Sequence, residues 1–322
     1  MDRLTIVIAP RSRAGWMNWV RPTLVEEVEA LAPEATVRLV EPEDIDRAAL
    51  DADILVTVDL SPDALRKARR LKWVQSWAAG PNELLNDAMR DSPAVLTSAK
   101  GNGAVPLAEH GIMLMLMLAR NARRLLRAQD ESRWDKFLHG ELAGRTCGII
   151  GAGNAGAELA LKARAFHMNV LGYRRQQRPS DNFDEIFTGD GLAHLLQRSD
   201  FVVVTAALTD ETRGMLGEAE FRAMKPTAHY ICFSRGAIAD PAALVRALRE
   251  GWIAGAGLDA HATEPLPPDS PFWSMENVIV TPHIGANSTS LVDRGNDIFL
   301  ENLRRFRKGE PLLNVVDKNA GY

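Results

Sequence analysis

The sequence predicts an α/β protein built from two doubly wound parallel sheets. Short apolar runs, rich in β-branched residues, alternate with amphipathic helical patterns along almost the whole of its 322 residues. The alternation stops once, at residues 100–106, where two glycines and a proline precede a long helical pattern, and it then resumes. Strands that alternate with helices form parallel sheets covered on both faces. The interruption therefore predicts two such units with a cleft between them.

Composition excludes several classes of protein. Apolar residues make up 46% of the chain and charged residues 25%, as in an ordinary globular protein. The net charge of −4 gives no reason to expect nucleic acid or an anionic membrane as a partner. The longest apolar run, 112–119, is far shorter than the ~20 residues that a membrane span needs. Two cysteines are too few for a disulfide framework, and no signal-peptide pattern opens the chain, so we expect a cytoplasmic protein.

The predicted elements fall into two series. The strands of the first series are 4–9, 36–40, 53–58, 72–76 and 94–97. A long helix is predicted from about 107 to 129. The strands of the second series are 145–150, 169–173, 200–206, 228–233, 254–259 and 277–281. Six strands joined by crossovers suit a dinucleotide-binding fold, and a final helix is predicted over 289–308.

A glycine loop follows the first strand of the second series. Gly151, Gly153 and Gly156 form the pattern G-x-G-x-x-G and open a helical pattern. This chemistry needs glycine because the turn is tight, the pyrophosphate approaches the backbone, and the helix packs close to the strand. The N–H groups at the helix start, at Asn154 and Ala155, would then hold the anion. The alternative is a glycine-rich turn that binds no ligand.

The next strand ends in Tyr173, Arg174 and Arg175, where an acid would hold the ribose 2′-hydroxyl of NAD. Arginine suits a 2′-phosphate through its charge and its two-pronged hydrogen bonding. The turn therefore indicates a site for NADP(H) rather than a missing site, with NAD(H) also possible. The alternative is that both arginines are solvated loop charges.

Three later turns carry candidate catalytic groups. Each of these turns follows a predicted strand, and they contain Arg235, then Asp259 with Glu264, and then His283. Ligands in open α/β sheets bind beyond the carboxyl ends of the strands, where an arginine, a carboxylate and a histidine can form an acid–base set. Each residue also has an ordinary interpretation, as a surface ion-pair partner, a loop acid or a strand cap. The other histidines are interpreted as structural: His110, His139, His167, His194, His229 and His261. No spacing typical of a metal site is present.

These motifs resemble those of the D-isomer-specific 2-hydroxyacid dehydrogenase family. The runs LAEHG, GAGNAG, MKPTAHYICFSRGAIAD, GAGLDAHATEPLP and NVIVTPHIGA are similar to family signatures and stand in the same order. The resemblance implies that Arg235 binds the substrate's carboxylate and carbonyl oxygen. It implies that His283 is the general acid–base and that Glu264 pairs with it. A histidine whose pKa is near 6.5 can serve in both directions near neutrality.

The resemblance implies further contacts. Ala79 and Gly80 would offer backbone N–H groups to the substrate carboxylate, and Asp259 and His283 would lie near the nicotinamide side of the cofactor. Arg174 stands where many family members have aspartate, which again points to NADP(H). Pro81 follows Gly80 where the family often has an aliphatic residue, and it has no N–H to offer. The substrate loop therefore differs in detail from the family pattern.

The resulting hypothesis is an NADPH-dependent reductase of a small 2-oxo acid, such as glyoxylate or hydroxypyruvate. The resemblance implies a flavodoxin-like substrate domain from 1–100 and 287–322, a Rossmann cofactor domain from 101–286, and a homodimer. Two alternatives remain open. One is a cofactor sensor without turnover on the same scaffold, and the other is a dehydrogenase that acts on formate or phosphite.

Overall fold

The computed structural model describes residues 3–11, 13, 17–176 and 180–319. The chain divides into two compact units. One contains the residues up to Gly103 together with those from Ser288 onward, and the other is the continuous segment Ala104–Asn287. Each unit holds one parallel sheet, so the predicted α/β fold with two doubly wound sheets is confirmed.

The first unit contains a five-stranded parallel sheet. Its strands are β1 (Thr5–Ile8), β2 (Thr36–Leu39), β3 (Ile54–Thr57), β4 (Trp73–Ser76) and β5 (Val95–Thr97). The helices between them are α1 (Leu24–Leu31), α2 (Ile45–Ala48), α3 (Pro62–Lys67) and α4 (Asp87–Asp91). The strand order β2-β1-β3-β4-β5 is that of a flavodoxin-like sheet. Every residue of β3 and β4 is buried, as expected where helices cover both faces.

The second unit begins with two helices, α5 (Ala104–Ala119) and α6 (Ala122–Asp130). Its strands are β6 (Thr146–Ile150), β7 (Asn169–Tyr173), β8 (Glu185–Phe187), β9 (Phe201–Val204), β10 (His229–Cys232), β11 (Gly255–Leu258) and β12 (Val278–Val280). The intervening helices are α7 (Asn154–Ala165), α8 (Leu192–Arg198), α9 (Glu218–Ala223) and α10 (Pro241–Arg249). The order β12-β11-β10-β9-β6-β7-β8 reverses direction between β6 and β9, which makes a Rossmann-type switch point.

Two details of the second unit differ from the prediction. The sheet has a seventh strand, β8, which is only three residues long and pairs with the end of β7. The helix predicted over about 107–129 is wrong as a single element, because Asn121 adopts a left-handed φ of 50° and separates α5 from α6. Asparagine accepts that conformation more readily than most residues.

The last helix, α11 (Thr289–Lys308), returns to the first unit with the bounds that were predicted. Phe299 and Leu303 are fully buried in the core of that unit. The buried Asn302 amide donates to Oε1 of Gln75 at 3.1 Å, and its Oδ1 accepts from the backbone N–H of Leu313 at 2.6 Å. The first sheet is therefore completed by the end of the chain. Among the described residues, none of the helices combines the length and the apolar composition needed to cross a bilayer.

Candidate active site

The glycine loop lies at the switch point of the second sheet, between the end of β6 and the start of α7. Gly151 has a φ of 107°, and a Cβ on it would lie 2.4 Å from the backbone nitrogen of Ala206. A Cβ on Gly156 would lie 2.3 Å from the carbonyl oxygen of Gly151. Both positions therefore require glycine, one for a left-handed turn and both for close backbone packing.

Gly153 differs from its two neighbours in the pattern. A Cβ on it would meet no atom within 4 Å, and its φ of −90° is open to any residue. The protein's own packing thus gives no reason for glycine at this position. The space in front of Gly153 and the exposed start of α7 suits a pyrophosphate held by backbone N–H groups.

The turn with the two arginines stands directly beside the glycine loop. The backbone N–H of Gly151 donates to the carbonyl oxygen of Tyr173 at 2.8 Å. The Tyr173 hydroxyl donates to the carbonyl of Gly189 at 2.9 Å, and the Arg174 N–H donates to the carbonyl of Phe187 at 3.1 Å. Both contacts fasten the turn to β8 and the residues after it. Arg174 is half-buried and Arg175 is exposed.

Asp259, at the end of β11, is fully buried and organises the neighbouring loop. Its Oδ1 accepts from the Thr281 hydroxyl at 2.7 Å and from the N–H of Ile284 at 3.0 Å, and its Oδ2 accepts from the N–H of Gly285 at 2.8 Å. A Cβ on Gly285 would lie 2.8 Å from Oδ2, so glycine allows this close approach. A contact between Asp259 and the cofactor remains a prediction.

His110, on α5, extends the same buried network. Its Nε2 lies 3.0 Å from the Thr281 hydroxyl oxygen and 3.5 Å from Oδ1 of Asp259. Because a carboxylate only accepts, the Thr281 hydroxyl donates to Asp259 and accepts from Nε2–H of His110. Burial holds the pKa of His110 below its ordinary value, and the Asp259 carboxylate opposes that shift. This histidine is therefore a support of the 281–285 loop.

The loop that Asp259 holds carries His283, whose φ of 53° is left-handed. Such a conformation is uncommon outside glycine and is frequent at functional sites. The His283 Nδ1 lies 2.8 Å from Oε2 of Glu264. Both side chains are more than a third exposed, at 39% and 37%, so the pair adds at most about 1 kcal/mol to stability. The contribution of this pair to stability is therefore too small to explain why buried hydrogen bonds hold the 281–285 loop that presents His283.

Arg235 lies on the same edge of the sheet as this pair. It follows β10, Glu264 follows β11, and His283 follows β12, and these three parallel strands are neighbours. The Arg235 side chain is half-buried, and its Nη1 donates to the carbonyl of Ser234 at 2.8 Å. The structure thus brings His283 and Glu264 into direct contact and places Arg235 on the adjacent strand end.

The remaining predicted residues lie in the first unit. Ala79 and Gly80 follow β4, where Ala79 is exposed and Gly80 is half-buried. Their contact with a substrate carboxylate remains a prediction. Sequence reasoning missed the roles of His110, His261 and Thr281 in holding the loops. For His261 the sequence offers one indication of this role, which is its position three residues before Glu264 in the same short loop.

The glycine turn at the switch point makes the second unit a dinucleotide-binding domain, and comparison with known proteins agrees. The family model of the D-isomer-specific 2-hydroxyacid dehydrogenase NAD-binding domain matches residues 112–285. A glyoxylate reductase of Korarchaeum cryptofilum (strain OPF8) is 34% identical over 281 residues, which are 84% of either chain.

Two solved structures resemble the chain over nearly its whole length. A D-isomer-specific 2-hydroxyacid dehydrogenase from Xanthobacter autotrophicus Py2, in complex with NADPH and MES, gives a TM-score of 0.85 at 29% identity and covers 99% of this chain and 100% of that one. An NADPH-dependent glyoxylate/hydroxypyruvate reductase from Sinorhizobium meliloti, in complex with NADP and sulfate, gives 0.82 at 29% identity with the same coverage. The chain belongs to the D-isomer-specific 2-hydroxyacid dehydrogenase family, and the predicted class, an NAD(P)-dependent oxidoreductase, is confirmed.

The glycine loop gives the first testable prediction. Gly153→Ala is expected to leave the unfolding free energy within about 0.5 kcal/mol of the native value, because the added methyl meets no protein atom. It is expected to raise the dissociation constant for the dinucleotide at least about 10-fold, because the methyl occupies the space of the pyrophosphate. Chemical denaturation and a fluorescence titration with NADPH and NADH measure the two quantities.

Gly151→Ala is the matched control for stability. It places a methyl against the backbone at a left-handed φ and is expected to destabilise the fold by about 1–3 kcal/mol. Unchanged dinucleotide affinity in Gly153→Ala would show that the pyrophosphate does not lie against this residue.

Proposed function

We propose that this protein uses NADPH to reduce a small 2-oxo acid, of the glyoxylate or hydroxypyruvate type, to the D-2-hydroxy acid. The observation that carries the proposal is the contact between His283 and Glu264 at the strand ends that also present Arg235. Support comes from the relative in K. cryptofilum, which is a glyoxylate reductase, and from the similar S. meliloti protein, which is an NADPH-dependent glyoxylate/hydroxypyruvate reductase.

The residues of the glycine loop fit a dinucleotide. Gly151 and Gly156 are required by the turn itself, whereas the open space at Gly153 leaves room for the pyrophosphate. When bound, NADPH supplies the hydride that is added to the carbonyl carbon of the substrate. The first turn of α7 and the turn at Arg174 and Arg175 would hold the diphosphate and the 2′-phosphate.

The acid–base step is assigned to His283. A carboxylate only accepts, so Nδ1 of His283 carries the hydrogen that Glu264 receives, and Nε2 is the nitrogen that gains or loses a proton. As negative charge builds on the substrate's carbonyl oxygen, Nε2 donates its proton to that oxygen, and the guanidinium of Arg235 stabilises the charge. Glu264 fixes the ring and stabilises the imidazolium.

The substrate is tested by following the oxidation of NADPH and NADH with glyoxylate, hydroxypyruvate, pyruvate and phenylpyruvate. We expect turnover of at least one of these 2-oxo acids, and we expect NADPH to be oxidised faster than NADH. Tight cofactor binding without oxidation in any of these assays would favour the sensor alternative. Cofactor reduction with formate or phosphite, without activity on any 2-oxo acid, would favour the alternative of a formate or phosphite dehydrogenase.

His283→Asn tests the acid–base assignment. Asparagine accepts the left-handed backbone of this position but cannot transfer the proton, so kcat is expected to fall at least about 10²-fold. Cofactor affinity is expected to stay within about twofold because the glycine loop is untouched. Steady-state kinetics and cofactor titration measure both. His194→Asn, at an exposed position on α8, is the control, and turnover in His283→Asn equal to that of the control contradicts the assignment.

The arginine turn tests cofactor preference. Charge-assisted hydrogen bonds contribute about 1.5–3 kcal/mol each. The double variant Arg174→Ser/Arg175→Ser is therefore expected to weaken NADPH binding about 10- to 100-fold and to change NADH binding little. Isothermal titration with both dinucleotides measures this. Arg249→Ser removes an exposed arginine at the far end of α10 and serves as the control. An equal loss for NADPH and NADH would mean that the arginines do not contact the 2′-phosphate.

We also propose that the protein is a homodimer and that its two units are a substrate domain and a cofactor domain. In the second unit, Trp134 and Leu138 are 89% and 101% exposed, and Leu125 and Leu126 on α6 are also exposed. An exposed apolar group of this kind is typical of a surface that a partner covers, and a second copy is the commonest partner.

Light scattering after size exclusion tests the dimer. The native protein is expected at about twice its chain mass of 35.4 kDa, and Trp134→Glu/Leu138→Glu is expected at the chain mass because it places charge in the interface. Leu39→Glu, at an exposed position on the edge strand β2, should remain dimeric. A native protein that runs as a monomer at micromolar concentration contradicts the proposal.

A further inference from the structure

His261 lies in the loop after β11, between Asp259 and Glu264. Its backbone N–H donates to Oε1 of Glu264 at 2.9 Å, while the other carboxylate oxygen accepts from His283 at 2.8 Å. Each oxygen of the carboxylate therefore has a defined partner. The plane of the carboxylate, and with it the direction of its contact with His283, is fixed partly by the backbone of His261.

The ring of His261 reaches the second loop of the site. Its Nε2 lies 3.0 Å from the carbonyl oxygen of Thr281. A carbonyl oxygen only accepts, so Nε2 carries the hydrogen. Thr281 precedes His283 by two residues, and its hydroxyl is already held by Asp259. His261 therefore contacts both the carboxylate of Glu264 and the loop that carries His283.

The other ring nitrogen takes no part in the hydrogen bonds that hold the two loops. Nδ1 of His261 is buried and has no hydrogen-bond partner within the described part of the chain. Among the described residues, the ring is therefore held through the contact of Nε2 with the Thr281 carbonyl alone. A change that removes the Nε2 donor would break the one hydrogen bond that the ring makes there.

We propose that His261 is a positioning residue for the reaction. It joins the loop of Glu264 to the loop of His283 and so sets the geometry of their contact, without exchanging a proton with the substrate. The inference rests on the proposed function, in which that pair performs the acid–base step. A phenylalanine would keep an aromatic ring and the backbone N–H, but it would have no donor for the Thr281 carbonyl.

His261→Phe and His261→Gln test the proposal together. His261→Phe is expected to lower kcat about 10-fold, with the KM for the 2-oxo acid and the dissociation constant for NADPH within about twofold. His261→Gln places an N–H donor at a comparable distance without an ionisable ring, and it is expected to recover most of the lost rate. His194→Phe, at an exposed position on α8, is the control for the added aromatic ring. Thermal unfolding of each variant shows whether it is folded.

A double-mutant cycle with Glu264→Gln asks whether His261 acts through Glu264. Residues that act as one unit give losses that are not additive. The double variant His261→Phe/Glu264→Gln is therefore expected to be only slightly slower than Glu264→Gln alone. Losses that multiply would overturn the proposal, and so would an unchanged kcat in His261→Phe or a failure of His261→Gln to recover any rate.

Comparison with His283→Asn separates this inference from the proposed function. If His283→Asn keeps full turnover in the same assays, the acid–base assignment is wrong whatever His261 does. If His283→Asn loses turnover but His261→Phe does not, the acid–base assignment holds and only the positioning role is wrong.

Discussion

The candidate site depends on the hydrogen bonds that the buried carboxylate of Asp259 accepts. A carboxylate removed from water is costly unless donors surround it, and here a hydroxyl and two backbone N–H groups supply them. Those donors all belong to the segment 281–285, so satisfying one charge fixes the path of one loop. The left-handed backbone of His283 lies inside that path. The conformational strain of the exposed histidine is thus balanced by the hydrogen bonds of a residue that solvent does not reach.

The site combines two kinds of order. The parallel sheet brings the ends of β10, β11 and β12 to one edge and the glycine turn to the switch point, and any chain with this topology would do so. The second kind is particular to this chain, because His110, Asp259 and His261 hold the loops beyond that edge through hydrogen bonds at defined atoms. The first decides where a ligand can bind, and the second decides how accurately the reacting groups face it.

Much of the fold could be predicted from the sequence because its signals are local. Apolar runs in the sequence predict the strands β1 to β7 and β9 to β12, with small differences at their ends. No such run covers β8. Helix α11 shows an amphipathic pattern along its whole length. The break at Asn121 depends on a single backbone angle. In β8 only Ile186 and Phe187 are apolar and their neighbours in the chain are polar, whereas β5 and β12, which are equally short, lie in longer apolar runs. Arg235, Glu264 and His283 could be chosen from the sequence since each follows a strand. His110 could not be chosen, because it contacts Thr281 across 171 positions of the chain and no spacing rule connects them.

The return of α11 to the first unit has a consequence for the newly made chain. Phe299 and Leu303 belong to the core of the sheet formed by the first 97 residues or so, yet the ribosome makes them after the whole of the continuous second unit. Domains fold as units while the chain is synthesised. The second unit can therefore complete its core while the first still has an open apolar face. Closing so long an intervening segment costs little extra entropy, so the delay concerns timing rather than final stability. The strands of the first unit are thus made before the second unit but complete their packing after it, and during that interval their open apolar face is a surface on which chains can associate.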